Sequence, residues 1–390
     1  MPERDLDLVL FGATGFTGGL TADYLAAHAS GVRWALAGRN REKLEATRTR
    51  LAATDPALAD LELVVVDSGD QAALAGVVAR ARVVVTTVGP YRELGGPLVA
   101  ACAEAGTDYV DLTGEPEFVD QTYLDHHETA VRTGARIVHA CGFDSVPHDL
   151  GALFTVQQLA ASGPVTMRGV VRASGTFSGG TFHSAMGAFS RAKQAAGTAK
   201  QRRRAQGKPD DGRSSRPVAG KPHRDKRLGY WLLPMPTIDP QVVARSGAAL
   251  PVFGPEFRYS HFAGTKTLRY ALGGMGGVSA IALAAQVGPV RNLLLKKVPQ
   301  GSGPDAAKRE RSWFTVDFVA EADGRSLHTR VSGGDPGYTE TAKMLAESAL
   351  CLLQDDNPTT AGCVTTAQAM GDALLARLRA AGMRFEVVDD

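Results

Sequence analysis

Gly12-Ala13-Thr14-Gly15-Phe16-Thr17-Gly18 follows the apolar run Asp7-Leu8-Val9-Leu10-Phe11 and opens a segment in which Leu20, Tyr24 and Leu25 recur at helical spacing. Its three glycines are spaced GxxGxxG. A turn without side chains lets backbone approach a pyrophosphate, and the helix start offers unpaired N–H groups and a positive dipole end. A glycine-rich heptapeptide alone is a weak signal. Between the first strand and first helix of a βαβ unit it predicts a dinucleotide-binding turn, with Thr14, Phe16 and Thr17 beside Gly12, Gly15 and Gly18.

Working outward, short apolar runs end at Gly38, Asp67, Gly89, Leu112 and Ala140, with helical segments between them. Runs of this kind predict a parallel sheet covered on both faces. Beyond residue 150 the rhythm changes. The segment 165–173 reads as a strand without a helical crossover, 182–201 as a helix, and 208–222 as a Pro/Gly/Ser-rich charged loop. Residues 313–320 and 327–332 read as a strand pair, and 338–353 and 367–381 as helices. The expected fold is α/β, a Rossmann-type doubly wound parallel sheet over 1–150 with a second α+β domain over 151–340. C-terminal helices over 341–390 are expected to pack back on the first domain.

The second strand decides the nucleotide. An NAD site carries an acid about 20 residues past the glycines, on the ribose 2′-OH. Here the strand ends Ala37-Gly38-Arg39-Asn40-Arg41, and no acid comes before Glu42. A guanidinium suits a 2′-phosphate, so NADPH is the expected cofactor, with Arg39 on the phosphate and Asn40 or Arg41 in support. Asp67 has two open readings, a hydrogen bond to adenine or the N-cap of the next helix. Thr87, Gly89 and Pro90, after the fourth strand, are expected along the cofactor.

A chain of 390 residues suits two domains sharing a cleft. Its four cysteines form no CxxC pair, which predicts neither a metal site nor a disulfide framework and fits a cytoplasmic protein. The N-terminus lacks the layout of a signal peptide. Residues 271–297 join a Gly/Ala-rich apolar run to Arg291, Lys296 and Lys297. A buried or interfacial helix and a peripheral membrane contact are both open there. Net charge is +2, yet Arg191–Arg227 holds thirteen Lys/Arg against three Asp/Glu. That stretch is either a solvated helix end and loop or a docking face for an acidic partner. Nucleic acid is not expected, because overall charge is balanced and few aromatics lie nearby.

Gly12–Gly18, Ala37-Gly-Arg39, Val88-Gly-Pro-Tyr91, the segment Gly106–Glu115 and Cys141-Gly-Phe-Asp-Ser-Val-Pro-His-Asp-Leu150 together resemble the saccharopine dehydrogenase-like oxidoreductases. Within them the chain is most similar to the actinobacterial trans-acting enoyl reductases, and the similarity runs nearly end to end. The resemblance implies hydride transfer from NADPH to the β-carbon of an α,β-unsaturated acyl thioester, polyketide or lipid, on a carrier domain. Reduction of a free imine or enone is the related alternative. It would want clustered cations, of which Arg172 is the one candidate. A non-catalytic NADP-binding scaffold is a third reading, and a homodimer is open.

His139 to His148 follows the sixth strand and is expected to face the nicotinamide. Asp144 and His148 are candidate acids or orienting groups. Asp144 as a helix cap and His148 as a surface residue are the plainer readings. Tyr91 is a candidate proton donor or a packing residue. Cys141 is counted with the cofactor-facing residues, although its thiol reads as small and buried. His183 is a candidate for the cleft wall.

Overall fold

The computed structural model describes residues 4–174, 186–187, 189–297 and 303–388. Six strands alternate with helices in the first 150 residues: β1 (Leu6–Phe11), β2 (Trp34–Gly38), β3 (Glu62–Val65), β4 (Ala81–Thr86), β5 (Asp108–Asp111) and β6 (Arg136–Val138). Then follow β7 (Val165–Ser174), β8 (Ser214–Pro217), β9 (His223–Arg224), β10 (Trp231–Pro234) and β11 (Glu256–Thr265). The last four are β12 (Trp313–Ala322), β13 (Arg325–Gly333), β14 (Gly362–Val364) and β15 (Arg384–Val387).

The first sheet runs β14-β6-β5-β4-β1-β2-β3, and every pairing in it is parallel. Leu8, Val9 and Leu10 of β1 are fully buried, as a strand covered on both faces requires. The order reverses between β1 and β4, so a crevice opens at their carboxyl ends, where such sheets bind ligands.

The second sheet runs β15-β13-β12-β7-β11-β10-β9, with β8 also on β11. The strand β7 is parallel to β11 and antiparallel to β12. The helix Val146–Leu159 leaves the carboxyl end of the first sheet and lies on β12 and β13 of the second. Gly151 allows that approach, because a Cβ there would come within 2.4 Å of the Phe318 ring. One helix therefore fixes both sheets around the crevice.

The tail packs on both sheets. The helix Thr339–Gln354 lies along the helix Phe16–His28. The Tyr24 hydroxyl donates to Glu347 at 2.7 Å. The strand β14 extends the first sheet beside β6, and β15 extends the second beside β13. Asp149 Oδ2 accepts from the Thr366 hydroxyl at 2.7 Å and the Ala367 amide at 2.8 Å.

Several expectations change. The loop expected over 208–222 contains β8, held by pairing with β11. The expected tail of helices also supplies two strands. The helix expected over 367–381 breaks at Met370 into Thr366–Ala369 and Gly371–Ala380, where Gly371 turns to φ +42°. The helix expected over 182–201 falls partly outside the described residues, as does His183. The described helix is Ala192–Gln206. No helix among the described residues is long and apolar enough to cross a membrane.

Candidate active site

The glycine turn closes on itself. Gly12 sits at φ +86°, and a Cβ there would lie 2.6 Å from Thr87 Oγ1. The Gly15 amide donates to the Gly12 carbonyl at 2.9 Å. A Cβ on Gly18 would fall 2.1 Å from that same carbonyl oxygen. Two of the three glycines are therefore demanded by space and backbone conformation. The Thr87 hydroxyl lies 3.3 Å from the carbonyls of both Phe11 and Gly12 and ties the end of β4 to the turn. Thr14 and Gly15 are exposed above it, Thr17 is half-buried, and Gly15 caps the helix Phe16–His28 without a side chain. The Phe16 ring meets Tyr338 edge-on at 4.9 Å and lies 5.4 Å from the Arg309 guanidinium carbon. These surroundings form a bare, amide-bordered cradle at a helix N-terminus, which fits a pyrophosphate.

Beyond β2 the three polar side chains separate. Asn40 caps the helix Arg41–Ala52 by accepting from the Lys43 amide at 2.9 Å. Arg41 pairs with Glu45 at 3.0 Å. Arg39 is exposed and has no hydrogen bond or ion pair among the described residues. Asp67 is not the cap of the next helix. It accepts from the Gly69 amide at 2.8 Å, and Asp70 caps instead, taking the Ala73 amide at 3.0 Å.

On the other side of the crevice, Gly89–Pro90 is a cis peptide. Tyr91 does not present its phenol to the cleft. Its hydroxyl donates to the Thr86 carbonyl at 3.1 Å and accepts from the Leu112 amide at 3.2 Å, and the side chain is buried. Both roles of the hydroxyl are taken by backbone, which corrects its reading as a proton donor. Glu115 completes this tie by accepting from the amides of Tyr91 and Arg92. Cys141 fits the reading of a small, buried thiol. Its side chain lies fully buried in the main core cluster, and burial pushes the thiol well above its usual range.

Asp111 welds the ends of β5 and β6. Its carboxylate lies 2.7 Å from His139 Nδ1 and accepts from the Thr113 and Ala140 amides, both at 3.0 Å. Next comes Asp144, which caps nothing: the helix Val146–Leu159 starts at Ser145 with no side-chain cap. The Asp144 carboxyl is half-buried, faces Gly114, and has only its own backbone N–H against it among the described residues. Burial, then the negative charges of Asp239 and Asp111, push its pKa up to about 7.

His148 is no surface residue. It is 2% exposed, with Nε2 3.5 Å from Asp239 Oδ1. His261 Nε2 stands 3.5 Å from Asp239 Oδ2, and its Nδ1 lies 3.0 Å from the Tyr259 hydroxyl. Burial pushes His148 down to about 3 and His261 to about 4, so both imidazoles are neutral at neutral pH. The ligating atoms of His148, Asp239 and His261 lie within 4.8 Å of one another, and these three residues could hold a metal ion. All are buried, so the group has no open face for a substrate. Its members come from the helix Val146–Leu159, the start of the helix Asp239–Ala249, and β11. Sequence reading missed Asp239 and His261, although the alternation Phe257, Tyr259, His261 was a usable strand signal.

A cleft of about 540 Å³ adjoins the Pro90 end of this site. Glu93, Glu115, Arg191, Arg291 and Leu295 are among the residues that line it.

A parallel doubly wound sheet with a glycine turn at its switch point is the arrangement that binds a dinucleotide. The comparisons agree. The NADP-binding domain of saccharopine dehydrogenases matches residues 8–138. A relative from Mycobacterium tuberculosis, Rv2449c, whose own name assigns it trans-acting enoyl reductase activity provisionally, is 40% identical over 98% of this chain and 97% of its own. The trans-acting enoyl reductase of Mycobacterium bovis is 35% identical over the same shares. Saccharopine dehydrogenase (L-Glu forming) from Saccharomyces cerevisiae superposes with a TM-score of 0.56 at 14% identity, covering 98% of this chain and all of that one. The chain belongs to the saccharopine dehydrogenase-like family of trans-acting enoyl reductases, and it is an NADP-dependent enzyme.

Proposed function

We propose that this protein reduces an α,β-unsaturated acyl thioester presented by the carrier domain of a separate polyketide synthase, with NADPH as reductant. The observation that carries this reading is the half-buried Asp144 carboxyl beyond β6, which caps no helix and whose pKa burial and the charges of Asp239 and Asp111 push up to about 7, so that it can give a proton near neutral pH. Bound NADPH would supply a hydride to the β-carbon of the substrate. The protein's own task is then to hold the dinucleotide, to orient the thioester and to add one proton at the α-carbon. Gly12, Gly15 and Gly18 make room for the pyrophosphate, with Thr14, Phe16 and Thr17 at its edge. Arg39 takes the 2′-phosphate, and Asp67 keeps a free carboxylate oxygen for the adenine amino group. Thr87, Gly89 and Pro90 border the nicotinamide half. Asp144 gives the proton from its carboxyl oxygen and regains one from solvent. His148, with Asp239 and His261, acts as a positioning group beneath Asp144. The units 1–150, 151–340 and 341–390 serve as the NADP-binding part, the substrate part and the closing tail.

The carrier would dock on the helix Ala192–Gln206. Not all of the basic stretch is available, since Arg191 pairs with Glu117, Arg202 with Asp120 and Arg213 with Asp211. Lys200, Arg203 and Arg204 remain exposed without a pair among the described residues. Imine reduction gains no support, because Arg172 stacks on Tyr230 at 4.3 Å and bonds its hydroxyl.

The test is NADPH oxidation with an enoyl chain carried on an acyl carrier domain and on a short free thioester. Turnover of neither would sink the proposal. Reversing Lys200, Arg203 and Arg204 to Glu is expected to raise KM for the carrier-bound substrate at least about tenfold, the scale of lost steering between charged surfaces. The free thioester should be unaffected. For the cofactor, Arg39→Ala is expected to weaken NADPH binding by about 1.5–3 kcal/mol, the worth of hydrogen bonds to a charged group. NADH binding should stay unchanged, and equal loss for both would refute the assignment of Arg39.

A further inference from the structure

We infer that the arm built from the helices Leu268–Gln286 and Gly288–Lys297 docks on the surface of an anionic lipid bilayer. Its apolar side chains enter the interface and its cations meet the headgroups. Single exposed leucines are ordinary on protein surfaces, whereas a concentration of them marks an interaction site. Seven of the fourteen large apolar side chains exposed among the described residues lie between Leu268 and Leu293. Tyr270 is 73% exposed, Leu283 71% and Leu272 60%. The arm rests on the body along β10 and β11, where Gly274 faces Leu233, and the Gln286 amide donates to the Phe189 carbonyl at 2.6 Å.

Charge selects the occupant. From Phe257 to Pro304 the sequence holds six Lys/Arg and no Asp or Glu. Lys266 and Arg269 stand at one end of the arm, and Lys296 and Lys297 at the other. All four are exposed without an ion-pair partner among the described residues. Apolar residues between two groups of cations suit an element lying in the plane of an anionic interface. A second copy of the chain would set this one-sign surface against itself. Neither helix is long and apolar enough to span, so the arm lies on the bilayer.

The arm also reaches the site. Arg291, Asn292 and Leu295 line the cleft beside Pro90, while Val290 and Leu293 of the same helix are exposed. Docking would therefore bring the mouth of the cleft to the lipid surface. This inference does not depend on which acyl thioester is reduced.

Flotation of the full chain with vesicles tests it, comparing phosphatidylcholine alone with phosphatidylcholine containing phosphatidylglycerol. The chain should float with the anionic vesicles and at least about tenfold less with the neutral ones, since each basic residue near such a surface adds attraction. Rising salt should release it. The triple variant Leu272→Asp, Leu283→Asp, Leu293→Asp should lose flotation while circular dichroism and NADPH affinity stay unchanged. Should that variant fail to fold, Lys266→Glu with Lys297→Glu must still weaken anionic-vesicle binding. Absence of flotation with anionic vesicles overturns the inference, as does flotation that both variants retain. Light scattering supplies the other refutation: a wild-type dimer that becomes monomeric in the triple variant assigns the arm to a second copy instead.

Discussion

Asp144→Asn is expected to lower kcat by about 10²–10⁴-fold, the usual contribution of a positioned general acid. NADPH affinity should not change, because Asp144 stands apart from the glycine cradle. The asparagine keeps the shape and removes the transferable proton. In the wild type, burial and the charges of Asp239 and Asp111 push the carboxyl up to about 7, so the acid form is present below that pH. Activity should therefore be full on the acid side and fall as pH rises through about 7. In the variant that limb should disappear, and the residual rate should be flat across the same range. A wild-type limb that persists in Asp144→Asn would assign the titration to another group. Stability offers a second readout. The unfolded carboxyl titrates near its ordinary 3.8 and the folded one near 7. Between those values the native state holds the proton and the unfolded state does not, so stability falls as pH rises through the window. Asp144→Asn should remove that decline.

Gly18→Val is the second large effect. A Cβ at Gly18 would sit 2.1 Å from the Gly12 carbonyl oxygen and 2.7 Å from Thr87 Oγ1. The carbonyl is backbone in a tight turn and cannot swing aside like a side chain. The helix Phe16–His28 must then withdraw from the turn, taking its amide-bearing N-terminus away from the pyrophosphate. A cost of about 3 kcal/mol or more is expected, at the upper end for overpacking. Calorimetry should show it as a lowered Tm, and titration as a loss of NADPH and NADH binding together. That joint loss separates it from Arg39→Ala, which acts on the 2′-phosphate alone. Gly15→Ala is the control. A Cβ there would meet the Gly12 carbonyl at 3.4 Å, an ordinary contact, so the fall in Tm should be much smaller.

Much of the cofactor half was legible in the sequence, because local rules govern it. Glycine spacing, the strand before it and the helix after it are all set within a few dozen residues, and a missing acid after β2 is read directly. The substrate half was not. Asp144 was quoted, but a capping aspartate and a proton-holding aspartate look alike in a sequence. What separates them here is the absence of a cap bond, then burial and the negative charges of Asp239, 95 residues further on, and of Asp111. Tyr91 shows the reverse. Its phenol left it open as a proton donor or a packing residue, and the Leu112 amide just after β5 claims its hydroxyl.

The basic stretch Arg191–Arg227 read as a uniform charged face, and folding divided it. Glu117 and Asp120, on the helix Pro116–Thr133, neutralise Arg191 and Arg202, while Lys200, Arg203 and Arg204 stay exposed. Short tail strands were also unreadable, since β14 has three residues and exists only because β6 offers it an edge.

By itself the sequence determined the parallel sheet, the dinucleotide turn and the choice of the phosphorylated cofactor, since each is signalled by a local pattern: short apolar runs between helical segments, the glycine spacing, and the lack of an acid after β2. The tertiary structure alone decided which groups can exchange a proton. That depends on burial and on charges brought together from distant segments, and no local pattern encodes it. It raised the pKa of the half-buried Asp144 carboxyl, tied the Tyr91 hydroxyl to backbone on both sides, and buried His148 beside Asp239 and His261.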